Sequence, residues 1–220
     1  MDTVAAKICG LNDPVSLKSA LDAGAEYIGV VFFPPSPRSL MPAEAKELFG
    51  DYRGSAKLVG LFVDPDDELI RSALEAVPLD ILQLHGNETP ERVQEIRVKF
   101  GKPVMKAVKI ATRDDLLQAK AYESVSDMLL FDAKAPKSMK DALPGGNGLS
   151  FDWTMLADLD TTCPWMLAGG LTADNVTDAV RISRAKAVDT SSGVETEPGR
   201  KDPTEVVRFL EVVHGINLES

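Results

Sequence analysis

The chain is poor in the residues that would point to metal, disulfide, membrane or nucleic-acid work. Its 220 residues include two cysteines, Cys9 and Cys163, and two histidines, His85 and His214. Two cysteines exclude a disulfide framework and fit a reducing compartment. Two histidines are too few for clustered His and carboxylate ligands, so metal catalysis is not expected. No apolar run approaches the ~18 residues of a membrane span. The stretch Met1–Lys7 has no basic segment leading into an apolar one, so no secretory leader is expected and the cytoplasm is the expected location. Basic charge is also short: 24 Lys and Arg stand against 34 Asp and Glu, a net charge of −10. This argues against a protein that works by neutralising nucleic-acid phosphates, while leaving room for a local cationic pocket.

What is present is regular. Hydrophobic residues make up 44% and charged residues 26%, values ordinary for a globular chain. Short apolar runs predict strands at 5–9, 27–33, 57–63, 81–84, 104–108, 128–131, 166–168 and 187–189. Amphipathic segments predict helices at 15–23, 42–49, 66–76, 90–100, 113–121, 151–157, 173–184 and 203–213. Asn12-Asp13-Pro14, Asn87-Glu88-Thr89-Pro90 and Asp202-Pro203 mark helix starts. Eight alternating units of about 27 residues imply a parallel sheet, and eight strands favour one closed (β/α)8 TIM barrel, an α/β fold, over an open sheet. No linker or composition shift divides residues 1–220, so a single catalytic domain is expected.

In such a barrel the chemistry sits at the C-terminal strand ends and in the loops that follow. The first strand ends Lys7-Ile8-Cys9-Gly10. Alternation puts Lys7 and Cys9 on one face, where an ammonium would lower the thiol's pKa; a small buried hydrophobe is the alternative for Cys9. Asp132 leaves an apolar strand, as a general acid or base or as a turn cap, with Lys134 two positions on. Arg38 ends the proline-stiffened segment Phe33-Pro34-Pro35-Ser36-Pro37 and suits a carboxylate ligand, or else lies on the surface. Gln83 and His85 share a face and could line the mouth. Lys106 could point inward as well. Cys163 and His214 read as structural. Gly145, Gly146 and Gly148 suit a loop that closes over a site, or a plain connector. Gly169 and Gly170 after strand seven, with Asp189, Ser191, Ser192 and Gly193 at strand eight, occupy the loops where barrels commonly bind phosphate.

These segments, taken in order, resemble the phosphoribosylanthranilate isomerase family. The resemblance rests on Lys7-Ile8-Cys9-Gly10-Leu11, Phe32–Arg38, Leu82–Glu88, Leu130–Lys134, Gly145–Trp153, Leu167–Leu171 and Asp189–Glu195. It implies a cofactor-free Amadori rearrangement in tryptophan biosynthesis, with Asp132 as general acid and Cys9 as general base. It further implies that Arg38 contacts the anthranilate carboxylate, that Gly169, Gly170, Ser191, Ser192 and Gly193 hold phosphate, and that 145–148 closes over the ligand. Asn147 departs from the hydroxyl residue expected there. The expected partner is a small phosphorylated substrate, with no nucleic acid and no membrane, and the chain is expected as a monomer or homodimer. The histidine-pathway relative, with paired aspartates, and a silent barrel that merely binds a sugar phosphate are the competing readings.

Overall fold

The computed structural model describes residues 3–52, 54–135 and 144–217. Eight parallel strands close on themselves in chain order: β1 (Ala5–Cys9), β2 (Tyr27–Phe32), β3 (Lys57–Phe62), β4 (Ile81–Leu84), β5 (Val104–Ile110), β6 (Met128–Ala133), β7 (Trp165–Leu167) and β8 (Ala187–Thr190). The ring is completed by β1 pairing with β8, where Lys7 stands opposite Asp189. Helices α1 (Pro14–Asp22), α2 (Pro42–Phe49), α3 (Asp67–Ala76), α4 (Pro90–Phe100), α5 (Arg113–Ala119), α6 (Val176–Ser183) and α7 (Pro203–His214) lie between and after the strands. Their starts are built locally. Asp13 accepts from the Val15 and Ser16 amides, Asp66 from Leu69, Thr89 from Arg92 and Asp202 from Thr204, and proline opens α1, α2, α4 and α7.

Two features depart from the sequence reading. The segment predicted as a helix at 151–157 holds a single 3-10 turn, Trp153–Leu156, capped by Asp152. Its apolar residues pack on the core, but four residues are too few for a helical turn ladder. Beyond β8, a further 3-10 turn (Ser192–Val194) runs into a small hairpin, β9 (Glu195–Glu197) with β10 (Arg200–Lys201), which charged residues had concealed.

The core has two parts. Between sheet and helices lie Ile8, Ile28, Leu58, Leu82, Val104, Phe131, Val206 and Phe209, all fully buried, each worth about 1.5–3 kcal/mol. Inside the barrel, Met105, Ala107, Leu130, Met166, Ala168 and Ala187 form an apolar floor. Lys106 alternates away from that interior. Its ammonium donates to Glu88 Oε2 at 2.8 Å and to the Gly86 carbonyl at 2.9 Å, with the Tyr122 ring 5.5 Å away, so it belongs to the outer layer. Cys163 is buried beside β7 with Sγ 4.0 Å from the Ser126 carbonyl.

Candidate active site

Above the floor the barrel interior turns polar, because each strand's inward parity continues into its last residues. The first polar layer is closed. Lys7, fully buried, donates to Asp189 Oδ1 at 2.8 Å across the β1–β8 seam. Burial works against the Lys7 charge, yet the Asp189 carboxylate, with the Cys9 sulfur when ionised, holds its pKa above the usual lysine range. Gln83, equally buried, reaches His85 Nδ1 through its amide nitrogen at 3.0 Å. Lys7 and Gln83 therefore sit beneath the pocket rather than on its wall.

The pocket itself encloses about 750 Å³ of space open to solvent. Its wall includes Cys9, Arg38, His85, Asp132, Asp189, the segment 145–148, Gly169, Gly170 and 191–193, so the strand-end residues selected from the sequence are brought together apart from Lys7 and Gln83. Asp132 Oδ1 accepts the Ala133 amide at 2.8 Å, which turns Oδ2 to His85 Nε2 at 3.0 Å. The imidazole is thus held from both sides, by the Gln83 amide at Nδ1 and by Asp132 at Nε2, and a proton on the His85–Asp132 contact can sit on either partner.

Cys9 does not behave as the Lys7 neighbourhood suggested. Burial pushes its thiol up; Lys7 pulls it down, Asp189 pushes it up again and Lys201 pulls it down, and the net displacement is upward. The Lys7 ammonium is already engaged by Asp189, so its pull on the thiol does not overcome desolvation. Gly29, paired with Cys9 in register, leaves the room Sγ needs: a Cβ there would lie 3.1 Å from the sulfur.

The loops after β7 and β8 interlock. A Cβ on Gly193 would fall 1.8 Å from the Leu171 carbonyl oxygen, so no other residue fits this conformation. Thr190 Oγ1 donates to the same carbonyl at 2.7 Å, and Ser191 Oγ donates to the Cys9 carbonyl at 3.0 Å, tying these loops to the end of β1.

Arg38 is not free. Nε and Nη2 donate to the two Glu195 carboxylate oxygens at 2.8 Å each, and Nη2 also reaches the Gly146 carbonyl at 3.2 Å. Lys201 completes the group by donating to Glu195 Oε1 at 2.6 Å. Neither Glu195 nor Lys201 was selected from the sequence as a site residue. Glu195 closes the Asp189–Glu195 segment that carries the resemblance, and beyond that both residues stand in a short charged stretch following the last barrel strand.

A family model described as N-(5'phosphoribosyl)anthranilate (PRA) isomerase matches residues 6–212. The chain is 55% identical over 207 residues to the N-(5'-phosphoribosyl)anthranilate isomerase of Rhodospirillum centenum, covering 94% of this chain and 96% of that one. It is 52% identical over 212 residues to that of Paramagnetospirillum magneticum, covering 96% and 98%. Among solved structures it is similar to the phosphoribosyl anthranilate isomerase of Thermotoga maritima, with a TM-score of 0.86 and 32% identity over 97% of this chain and 100% of that one. A phosphoribosyl anthranilate isomerase solved in complex with reduced 1-(o-carboxyphenylamino)-1-deoxyribulose 5-phosphate aligns with a TM-score of 0.83 and 30% identity, over 97% and 100%.

Proposed function

The chain belongs to the N-(5'-phosphoribosyl)anthranilate isomerase family, aldose–ketose isomerases of tryptophan biosynthesis, and from that premise we propose that Asp132 and Cys9 are the general acid and general base of the rearrangement. The observation that carries this reading is that the two side chains, from the ends of β6 and β1, face one pocket also lined by Arg38 and the loops after β7 and β8.

The chemistry needs two proton movements and no external redox partner. Asp132, in its acid form, protonates the furanose ring oxygen. The ring C–O bond breaks and the anilino nitrogen lone pair forms the C1'–N iminium. Cys9, as thiolate, takes the C2' proton, and the C–H electron pair moves to give the enolamine. Tautomerisation places a proton on C1' and leaves a ketone at C2'. C1' is thereby reduced and C2' oxidised within one molecule. Each proton transfer of this kind contributes about 10²–10⁴ in rate.

The two anionic ends of the substrate select the remaining residues. Arg38 takes the benzoate carboxylate, and Gly169, Gly170, Ser191, Ser192 and Gly193 take the phosphate through backbone amides and hydroxyls. Residues 145–148 lie over the pocket and close it around the ligand. The complex of a related isomerase with a carboxyphenylamino ribulose phosphate supports a ligand carrying both groups.

The test is loss of anthranilate-type fluorescence when purified protein meets freshly prepared phosphoribosylanthranilate, with spontaneous breakdown as blank. Enzyme-dependent loss without release of anthranilate, abolished in Cys9→Ser and in Asp132→Asn, is the expected result. Full turnover in either variant would remove that residue from the mechanism.

A further inference from the structure

Three side chains at the rim between β2 and β8 carry an unequal charge count. Arg38 and Lys201 are cations, Glu195 is the single anion between them, and their side chains are 6%, 0% and 3% exposed. Glu195 accepts Arg38 on both oxygens, Lys201 on Oε1 and the Gly199 amide on Oε2 at 3.3 Å. Lys201 also donates to the Ser191 carbonyl at 3.0 Å and to Ser191 Oγ at 3.1 Å. A lone Arg38–Glu195 pair would be neutral, and the pull of the guanidinium on an incoming carboxylate would be largely offset by the Glu195 charge. With Lys201 added the group carries +1, and the uncompensated charge lies where Arg38 borders the pocket. Among the described residues, Arg38 Nη1 has no acceptor, so one side of the guanidinium is left for a ligand.

We propose that Lys201 is a specificity-determining positioning residue: by offsetting Glu195 it leaves the Arg38 charge available to the carboxylate of the substrate. Lys201 acts on the carboxylate end through Glu195; its charge also reaches the Cys9 sulfur, an effect common to any substrate of the reaction and therefore cancelled in a ratio between two substrates. Glu195 in turn clamps the guanidinium by two parallel bonds, a geometry that fixes its plane. The inference rests on the reading of Arg38 given above.

The experiment compares two substrates, phosphoribosylanthranilate and its phosphoribosylaniline analogue lacking the carboxylate, in the wild type, Lys201→Met and Lys201→Met/Glu195→Gln. In Lys201→Met the group becomes neutral. The ratio of kcat/KM between the two substrates should then fall about tenfold, through KM of the carboxylate substrate, as expected for one weakened charge-assisted contact. In the double variant Arg38 again stands with +1, and the ratio should return to within about threefold of wild type. Equal losses on both substrates in Lys201→Met would mean that Lys201 only braces the loop at Ser191, and would overturn the inference. An unchanged ratio in Lys201→Met would overturn it too. Should Lys201→Met fail to fold, Glu195→Gln carries the test: the group then carries +2 and the ratio should rise about threefold or more, while an unchanged ratio or a fall counts against the proposal. A wild type that turns over neither substrate would instead remove the isomerase reading beneath it.

Discussion

His85 and Asp132, from the ends of β4 and β6, meet at 3.0 Å inside the barrel mouth, and each is held from a second side. Gln83 fixes the far nitrogen of the imidazole, and the Ala133 amide fixes the far oxygen of the carboxylate. Neither group can turn without breaking a buried hydrogen bond, so the Asp132 oxygen presented to the pocket is preset. If this geometry serves catalysis, His85→Asn should lower kcat by about tenfold or more while leaving KM near its wild-type value, because the shorter amide cannot span to Asp132. Steady-state kinetics decide it. A change confined to KM would assign His85 to binding instead.

Gly145 lies directly on that pair. A Cβ there would stand 2.8 Å from His85 Nε2 and 3.0 Å from Asp132 Oδ2, and both rigidly held atoms would have to give way. Gly145→Ala is therefore expected to lower kcat/KM by about 10-fold or more, since a misplacement of order 1 Å at reacting groups costs as much as 10²-fold. Its melting temperature should stay near wild type, because the residue packs on the site and not on the core. Paired thermal melts and kinetics check this, and an alanine variant of unimpaired activity would show that the loop adjusts freely.

The upward displacement of the Cys9 pKa has a kinetic signature. The groups facing the sulfur are Lys7, Asp189 and Lys201, and burial outweighs the two ammoniums. In the free protein the thiol is the dominant form at neutral pH and the thiolate grows as pH rises. If Cys9 is the base, kcat/KM should increase with pH through about 7–9, with the thiolate fraction, and the rate of Cys9 alkylation by iodoacetamide should rise in parallel. A profile already flat at pH 7 would place the base elsewhere or give Cys9 a pKa depressed below the ordinary thiol range.

Much of this was legible in the sequence because barrel strands announce themselves twice, by short apolar runs and by fixed parity. Parity groups Lys7 with Cys9, opposite Ile8, and Gln83 with His85, and the end of an apolar run singles out Asp132. What parity could not supply was height. Lys7 and Gln83 share the inner face with the pocket residues yet lie one layer lower, and only the register across β1–β8 and the bond to His85 reveal it. Nor could local sequence predict pairings made across long separations. Arg38 finds Glu195, and Lys106 is drawn outward to Glu88, through folding that brings distant loops together. The acidity of Cys9 depends on the same kind of information: the lysine two residues away is visible in the sequence, whereas the burial that pushes the thiol up, and the aspartate 182 residues along that engages the lysine, come only with the fold.

Lys134, next after β6, is held by a carboxylate outside the site, and the acidity of that carboxylate sets a stability test. Asp115, at the start of α5, accepts the Ala111 and Thr112 amides at 2.9 Å, Thr112 Oγ1 at 3.0 Å, and Lys134 Nζ at 2.7 Å, two residues beyond Asp132. Burial opposes its ionisation, but these donors prevail and bring its pKa down from 3.8 to about 2. A carboxyl more acidic when folded than when unfolded stabilises the fold fully above its unfolded pKa. That contribution is lost as pH falls from about 4 towards 2. Lys134 is half exposed, so solvent screening trims the contribution to about 1–2 kcal/mol at neutral pH. Asp115→Asn should thus be less stable than wild type by about that amount in urea unfolding at pH 7, equivalent to a few degrees in Tm. The gap should hold at pH 5 and narrow below pH 4, as the wild-type carboxylate takes up its proton. A gap independent of pH down to 3 would show that the hydrogen bonds count and the charge does not.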